Sequence, residues 1–202
     1  MLKNKMLKIG IVLSICMSLF GCHGMNKVYC QYNFGCQKND KDGYPIYHIG
    51  CFGQAGIVFY DKGQYTNGWR YLEVAPSSSE LLMIWTESNI PVPMTLTEVG
   101  TGKVNTFEIV QLLGERGKAA HFCMNLSIPG YGYTDWFLPS RDELNQMYLI
   151  LKKKNIGELK NAVYWSSSQH SNSEAWYQNF ANGDQYFGFK NDVYMVRAVR
   201  AF

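Results

Sequence analysis

The first 21 residues divide into a basic start and an apolar run. Lys3, Lys5 and Lys8 are the only charged side chains, and the chain from 9 to 20 is almost wholly apolar. This run is too short to span a bilayer as a helix, which needs about 20 residues. A basic start, a short apolar run and a small residue at its end are typical of an export signal. The pattern therefore predicts a signal peptide over residues 1–21.

Beyond residue 46, short apolar runs separated by turn residues predict β structure. Strands are expected over residues 56–60 and 69–74, with a turn at 61–63 between them. The stretch from 80 to 103 shows no clear period and contains two prolines and two glycines. We therefore expect long surface loops there.

Two main helices are predicted in the middle of the chain. One begins near Asn105 and continues, with apolar residues at helical spacing, to about Met124. The other begins at Ser140, because Glu143 three residues later completes a capping box, in which each side chain bonds the backbone N–H of the other residue. It is predicted to end near residues 155–157, where a glycine can adopt a left-handed conformation.

From residue 163 onward the pattern returns to β structure. Asn182 and Gly183 form a dipeptide that strongly favours a tight hairpin turn. Strands are predicted on both sides of it and further along the chain, over residues 163–166, 175–180, 185–189 and 193–202. Together these elements predict a single α+β domain with two main helices and a C-terminal antiparallel sheet.

A cysteine directly follows the predicted signal, in the run Leu19-Phe20-Gly21-Cys22. This run resembles a bacterial lipoprotein signal, which implies that Cys22 becomes the acylated first residue of the mature protein. Ordinary secretion and an uncleaved anchor are the alternatives. Residues 22–46 are polar and rich in glycine, asparagine and lysine, which predicts a flexible tether ahead of the domain over residues 47–202. The expected location is the bacterial cell envelope, at the outer membrane or the cell surface.

Net charge gives no support for a polyanionic partner. The chain of 202 residues has a formal charge of +3, and the three lysines of the predicted signal account for all of it. The mature chain is therefore formally neutral. Neither nucleic acid nor an anionic membrane surface is indicated as a partner, and the membrane is expected to be contacted only through the lipid on Cys22.

The mature chain has four further cysteines, which are Cys30, Cys36, Cys51 and Cys123. In an oxidising compartment they allow three pairings, and the sequence does not choose among them. The preferred pairing is Cys30–Cys36, a short local loop, with Cys51–Cys123. The alternative is that Cys123 is a buried thiol on an apolar helix face. No pair has the spacing of metal ligands, so neither a metal nor another cofactor is expected.

The sequence lacks the motifs that place catalytic chemistry. It has no Gly-x-Ser-x-Gly elbow, no His-Glu-x-x-His helix and no glycine-rich phosphate loop. The chain is therefore not expected to be an enzyme.

Several short motifs, taken in order, resemble one family. They include Gly68-Trp69-Arg70-Tyr71-Leu72-Glu73, Asp135-Trp136-Phe137-Leu138-Pro139-Ser140, Tyr164-Trp165-Ser166-Ser167-Ser168, Ala175-Trp176-Tyr177-Gln178-Asn179-Phe180 and Val196-Arg197-Ala198-Val199-Arg200. They resemble the family named for the C-terminal domain of the Legionella collagen-like adhesin, a bacterial domain of unknown function. The resemblance runs from about Tyr47 to Phe202. It implies a C-type-lectin-like α+β fold and, as in the namesake, binding of sulfated host polysaccharide.

The same motifs also have a structural interpretation. Four of their apolar residues are expected to fill the core: Trp136, Leu138, Trp165 and Trp176. One of the two arginines near the end of the chain is expected to pair with an acid inside the domain, either Arg197 or Arg200 with Asp135 or Asp142.

A lectin-like module that binds glycan or an extracellular macromolecule is the favoured function. Exposed aromatic rings would stack on sugar faces, and polar side chains would supply hydrogen bonds. The candidate ligand-binding residues are Ser167, Gln169, Trp176, Asn182, Asp184 and Tyr186. Tyr186 and Phe187 point to opposite faces of a strand, so at most one of them contributes. The alternative is a structural or assembly lipoprotein of the cell envelope that has no soluble ligand.

Overall fold

The structure is a computed structural model that describes residues 37–40, 45–87, 90–93 and 95–202. The predicted signal peptide, Cys22, Cys30 and Cys36 lie outside the described residues. Within the part of the chain that is described, no helix combines the length and apolar character needed to cross a membrane.

The described residues form three α-helices and ten strands. The helices are α1 (Gly102–Leu113), α2 (Lys118–Met124) and α3 (Arg141–Ile150). The strands are β1 (Gln37–Asn39), β2 (Pro45–Tyr47), β3 (Ile57–Thr66), β4 (Trp69–Val74), β5 (Leu81–Ile84), β6 (Val163–Gln169), β7 (Glu174–Asn179), β8 (Gln185–Phe189), β9 (Val193–Val196) and β10 (Val199–Ala201).

The strands form one small sheet and two larger ones. Strands β1 and β2 pair with each other, within the segment predicted as a tether. A three-stranded antiparallel sheet has the order β10-β4-β3, and a five-stranded sheet has the order β5-β9-β6-β7-β8. The α+β class is therefore confirmed. The C-terminal sheet is mixed rather than antiparallel, because β9 pairs with β6 in parallel.

Two clusters of buried apolar side chains form the core. One lies against α1 and α2 and contains Trp85, Trp136, Leu138 and Trp165, and the other packs α3 against β3, β4 and Tyr164. Three of the four residues predicted for the core are buried. The prediction for Trp176 is wrong, because that residue is only partly buried on the outer face of β7.

The first hairpin turns later than the sequence predicts. β3 continues through 61–63 to Thr66, and the turn lies at Asn67 and Gly68, whose φ angles are 50° and 81°. Two consecutive positive φ angles match the twist of the flanking strands. The predicted turn at 61–63 is wrong because Asp61 is held across the hairpin by Arg70, whose Nε and Nη2 donate to its carboxylate at 2.8 and 2.9 Å.

The predicted loop from 80 to 103 contains a strand and a core residue. Strand β5 pairs antiparallel with β9 along its whole length. Trp85 follows directly, is fully buried, and donates from Nε1 to the carbonyl of Ser166 at 2.8 Å. This part of the loop prediction is wrong, since the apolar run from 81 to 85 acquires its partner more than a hundred residues later.

The predicted helix from Asn105 to Met124 consists of two helices, and the first begins three residues earlier. A 3-10 turn interrupts it, and Gly114 there has a φ of 55°, which a residue with a side chain rarely adopts. The part of the chain that the structure describes therefore has three α-helices where two were predicted.

The capping box of α3 is confirmed. Ser140 Oγ accepts from the N–H of Glu143 at 3.2 Å, and Glu143 Oε2 accepts from the N–H of Ser140 at 2.8 Å. The α-helix ends at Ile150, earlier than predicted, because residues 152–154 form a 3-10 turn and Asn155 takes the left-handed conformation with a φ of 55°.

The preferred disulfide between Cys51 and Cys123 is wrong. Cys123 is a free thiol with no exposed surface, on the face of α2 that packs into the first core cluster. Burial raises the pKa of this thiol. The alternative interpretation of Cys123 is thereby confirmed. Cys51 is disulfide-bonded.

Candidate functional site

Two of the predicted ligand-binding residues are part of the domain's internal framework. Ser167 has no exposed surface; its N–H donates to the carbonyl of Pro139 and its Oγ accepts from Asn105 Nδ2 at 3.1 Å. Gln169 Oε1 accepts from the N–H of Val92 at 2.8 Å and from Lys190 Nζ at 2.6 Å. These contacts use the polar atoms that a ligand would need.

Asn182 and Asp184 are exposed and bond mainly to each other. Asn182 Nδ2 donates to Asp184 Oδ2 at 2.6 Å, and the N–H of Asp184 donates to Asn182 Oδ1 at 3.1 Å. Gly183 between them has a φ of 92°, so the predicted hairpin turn is confirmed. The pair stabilises the turn between β7 and β8.

Trp176 belongs to a cluster of rings at the surface, which we call the aromatic platform and define as His170, Trp176 and Phe187. The rings of His170 and Phe187 are stacked, with centroids 3.9 Å apart and planes 8° apart. Trp176 meets both of them edge to face, at 5.6 Å from Phe187 and 5.2 Å from His170. Such geometries are those that aromatic pairs prefer.

The strand register brings the platform together. Trp176 in β7 lies directly opposite Phe187 in β8, so both side chains stand on the same face of the sheet. His170 follows the last residue of β6, and its N–H donates to the carbonyl of Glu174 at 2.9 Å. That bond closes the loop before β7 and holds the imidazole over Phe187.

Arg141, the first residue of α3, lies beside the platform. Its guanidinium carbon lies 5.1 Å from the centre of the Trp176 ring, and its carbonyl accepts from Gln185 Nε2 at 2.8 Å. The guanidinium Nε also donates to Asp142 at 2.8 Å. The start of α3 is thereby attached to β8, and the cation–π contact contributes about 0.5–1 kcal/mol.

The platform carries little net charge. Arg141 is paired with Asp142, and Glu174, which lies opposite Phe189 on the same face, accepts from Ser171 Oγ at 2.9 Å. A sulfated chain is bound by several free cations, as polyphosphates are. The platform instead offers ring faces for apolar contact with an uncharged ligand.

The sequence named one platform residue as a candidate and weighed a second. Trp176 was a named candidate and Phe187 was weighed against Tyr186, whereas His170 and the neighbouring Arg141 were not named. The period-two pattern of β8 already places Phe187 and Phe189 on one face. Tyr186, which was a candidate, is 61% exposed on the opposite face of the strand.

A second concave region lies on the three-stranded sheet. It is a groove of about 510 Å³ whose lining includes Tyr47, Tyr65, Arg70 and Phe202. Arg70 is already paired with Asp61 there. None of the predicted ligand-binding residues lines this groove.

Comparison with known proteins places the platform inside a recognised domain. The family model described as the Lcl C-terminal domain matches residues 78–200, more than half of the chain, and this range includes Arg141 and all three platform residues. No curated protein matches.

One solved structure is similar in fold. It is the crystal structure of a fimbrial protein from Bacteroides ovatus ATCC 8483, with a TM-score of 0.52 and 15% sequence identity over 82% of this chain. The chain spans about half of that protein, since the match covers 48% of its length. At this identity the likeness concerns the fold alone.

Proposed function

The chain belongs to the Lcl C-terminal domain family, and we propose that it is an adhesin-type protein of the cell surface whose domain is a lectin-like binding module for glycan. The aromatic platform carries this proposal. Its three rings, His170, Trp176 and Phe187, are held at the surface, whereas Trp165 of the same sheet is completely buried. Aromatic rings that are rigid and partly exposed are the usual apolar contacts of binding sites.

The ligand is proposed to be a neutral glycan rather than a sulfated one. The family's namesake implies a sulfated polysaccharide, but among the described residues Arg141 is the arginine that contacts the platform, and Asp142 pairs with it. The stacked His170 and Phe187 rings offer an apolar face for the C–H groups of a sugar. Glu174, opposite Phe189 on the same face, lies at the margin and supplies carboxylate oxygens for its hydroxyl groups. No catalytic role is proposed for this site.

Binding should depend on Trp176 more than on other exposed aromatic residues. We expect Trp176→Leu to weaken binding of a neutral glycan at least about tenfold, as truncation of a central aromatic contact does. The full chain is first screened on an array of neutral and sulfated glycans, and the affinity for a bound glycan is then measured by calorimetry for each variant. His170→Ala should weaken the same affinity.

Tyr65→Leu is the matched control. Tyr65 is 69% exposed and lines the groove of the three-stranded sheet, so its loss should leave the affinity unchanged. A loss with Tyr65→Leu and none with Trp176→Leu would move the site to the groove. If the folded chain binds no glycan on the array, the lectin part of the proposal is refuted.

Display at the envelope is proposed to depend on an acyl anchor at Cys22. Family membership and the lipoprotein-like signal both support a location in which the domain meets extracellular partners. Cells that express the chain and are fed a palmitate analogue should label it, and Cys22→Ser should abolish the label. An unlabelled wild-type chain would refute the anchor while leaving the binding experiment unaffected.

A further inference from the structure

The outer edge of β8 lacks the usual protection of an edge strand. β8 is the last strand of the five-stranded sheet, and among the described residues no strand pairs with its other side. Its sequence, Gln185-Tyr186-Phe187-Gly188-Phe189, contains no charged residue and no proline. Natural edge strands are commonly protected by lysine, proline or a bulge, because an open edge is a template for pairing.

The lysine next to this edge does not protect it either. Lys190 is only 1% exposed, and its ammonium group is directed inward, donating to Gln169 Oε1 at 2.6 Å and to the carbonyl of Asn172 at 2.8 Å. The three aromatic side chains of the strand are instead exposed, by 61% for Tyr186, 37% for Phe187 and 59% for Phe189.

The hydrogen-bond pattern shows which backbone groups of β8 face outward. The N–H of Asn179 donates to the carbonyl of Asp184 at 2.9 Å, and the N–H of Lys190 donates to the carbonyl of Ser173 at 2.8 Å. In an antiparallel pair the bonded residues alternate. Residues 184, 186, 188 and 190 therefore bond to β7, and the backbone groups of Gln185, Phe187 and Phe189 point away from it.

We propose that this edge pairs with β8 of a second copy of the chain, antiparallel and symmetric about Phe187. In that register the N–H of each Phe187 donates to the carbonyl of Phe187 in the other copy. The N–H of each Phe189 donates to the carbonyl of Gln185 in the other copy. The two-fold axis makes the same surface serve both copies, which is the commonest arrangement of soluble homodimers.

Side chains favour this register over its neighbours. Tyr186 lies opposite Gly188 of the second copy, so the exposed phenol ring meets no side chain of that residue and can pack beside Tyr177, which already lies within 3.1 Å of the Gly188 Cβ position. Phe187 meets Phe187 on the other face. A register shifted by two residues places Tyr186 opposite Tyr186 or Gly188 opposite Gly188, and loses that fit.

The pairing joins two aromatic platforms on one face of a continuous sheet. Phe187 belongs to the platform, so the two sites adjoin across the axis. A repeating glycan could then contact both copies, and the second contact would be intramolecular. Pairing at this edge does not require that the platform binds glycan.

Substitution at Tyr186 changes the edge without removing a platform residue, since Tyr186 stands on the other face of the strand and approaches the platform at Phe187, with ring centroids 6.0 Å apart. Tyr186→Lys places a charge at the edge, and we expect it to weaken dimerisation about tenfold through two symmetric contacts. Tyr186→Phe is the matched control and should keep the dimer. The full chain, produced without acylation, is followed by sedimentation velocity up to about 1 mM, the weak end of useful affinities. Amide exchange at Phe187 and Phe189 should slow as concentration rises.

Any other outcome of these experiments overturns the proposal. A chain that stays monomeric over that range has no such interface. Association that Tyr186→Lys leaves unchanged uses another surface, and open-ended growth would mean that β8 pairs with a different edge. Trp176→Leu should keep the dimer while losing glycan, so failure of the proposed function and failure of the pairing give different results.

Discussion

Replacement of Glu73 by glutamine is expected to lower the free energy of unfolding by about 3–5 kcal/mol, the usual effect of removing one partner of a buried ion pair. Glu73 has no exposed surface, and its Oε1 lies 2.9 Å from Arg200 Nη1. The same carboxylate accepts from the backbone N–H groups of Gln54 at 2.8 Å and Gly56 at 3.1 Å. Every neighbour of the carboxylate donates, so the amide NH2 of a glutamine finds no acceptor and Arg200 loses its buried counter-charge.

The loop around Glu73 has no room to adjust. A Cβ added to Gly53 would lie 2.4 Å from Glu73 Oε2, and one added to Gly56 would lie 2.1 Å from the carbonyl of Val74. Glycine is required at these positions by close approach. The loop therefore closes tightly on the carboxylate and cannot move to hydrate a substituted side chain.

The measurement is urea unfolding of the full chain, followed by circular dichroism, with Asp61→Asn as the control. Asp61 also pairs with an arginine, Arg70, but both side chains are about a quarter exposed, at 23% and 28%. An exposed pair contributes about 0–1 kcal/mol. Similar losses for the two variants would contradict a special role for the buried pair.

Elements with a strong local signal could be predicted from the sequence. Strand β4 has the predicted bounds, Ser140 and Glu143 form the predicted capping box, and Asn182-Gly183 forms the predicted turn. In each case a few adjacent residues determine the conformation through their own backbone bonds. Tertiary contacts then preserve what the local chemistry already favours.

Elements that depend on distant partners could not be predicted. The run from 81 to 85 becomes a strand and a core residue only because β9 and Ser166 lie beside it. The first hairpin is moved from 61–63 by the Arg70–Asp61 pair, which joins two strands. Periodicity within one segment carries no information about these partners.

The candidate site shows the same division. Trp176 could be chosen from the sequence because an aromatic residue in a strand beside a turn is a reasonable contact. Arg141 comes from a helix start and His170 from a loop, and only the fold brings them to that ring. The internal bonds of Ser167 and Gln169 could not be predicted, because their partners, Asn105 and Lys190, lie far along the chain.

The two arginines of the C-terminal motif are structural. Arg200 pairs with Glu73 and with Asp135, which confirms the predicted pairing with Asp135 inside the domain. Arg197 is 1% exposed and pairs with Glu80 at 3.2 Å. The motif therefore attaches the end of the chain to two different buried carboxylates.

Arg197→Met should destabilise the domain by about 3–5 kcal/mol, because it removes the buried cation of Glu80 and leaves this carboxylate paired only with the exposed Lys160, whose Nζ lies 3.0 Å from Glu80 Oε2. Arg197 Nε donates to the carbonyl of Ala75 at 2.7 Å, and Nη2 donates to the carbonyl of Gly157 at 2.9 Å. Glu80 also accepts from the hydroxyl of Tyr164, and burial together with this carboxylate raises the pKa of the tyrosine. One guanidinium thus joins three segments, and methionine fills its volume without replacing any bond.

A double-mutant cycle with Glu80→Gln isolates the charge pair. If the loss of the buried cation beside Glu80 causes most of the effect, the double variant should be more stable than Arg197→Met alone, because it no longer buries a carboxylate whose remaining counter-charge, Lys160, is exposed. Arg197→Lys keeps the charge but loses the planar fork, so it should retain the ion pair and lose the carbonyl bonds. Additive losses in the urea-unfolding cycle would show that the two carbonyl bonds, rather than the pairing with Glu80, make Arg197 indispensable.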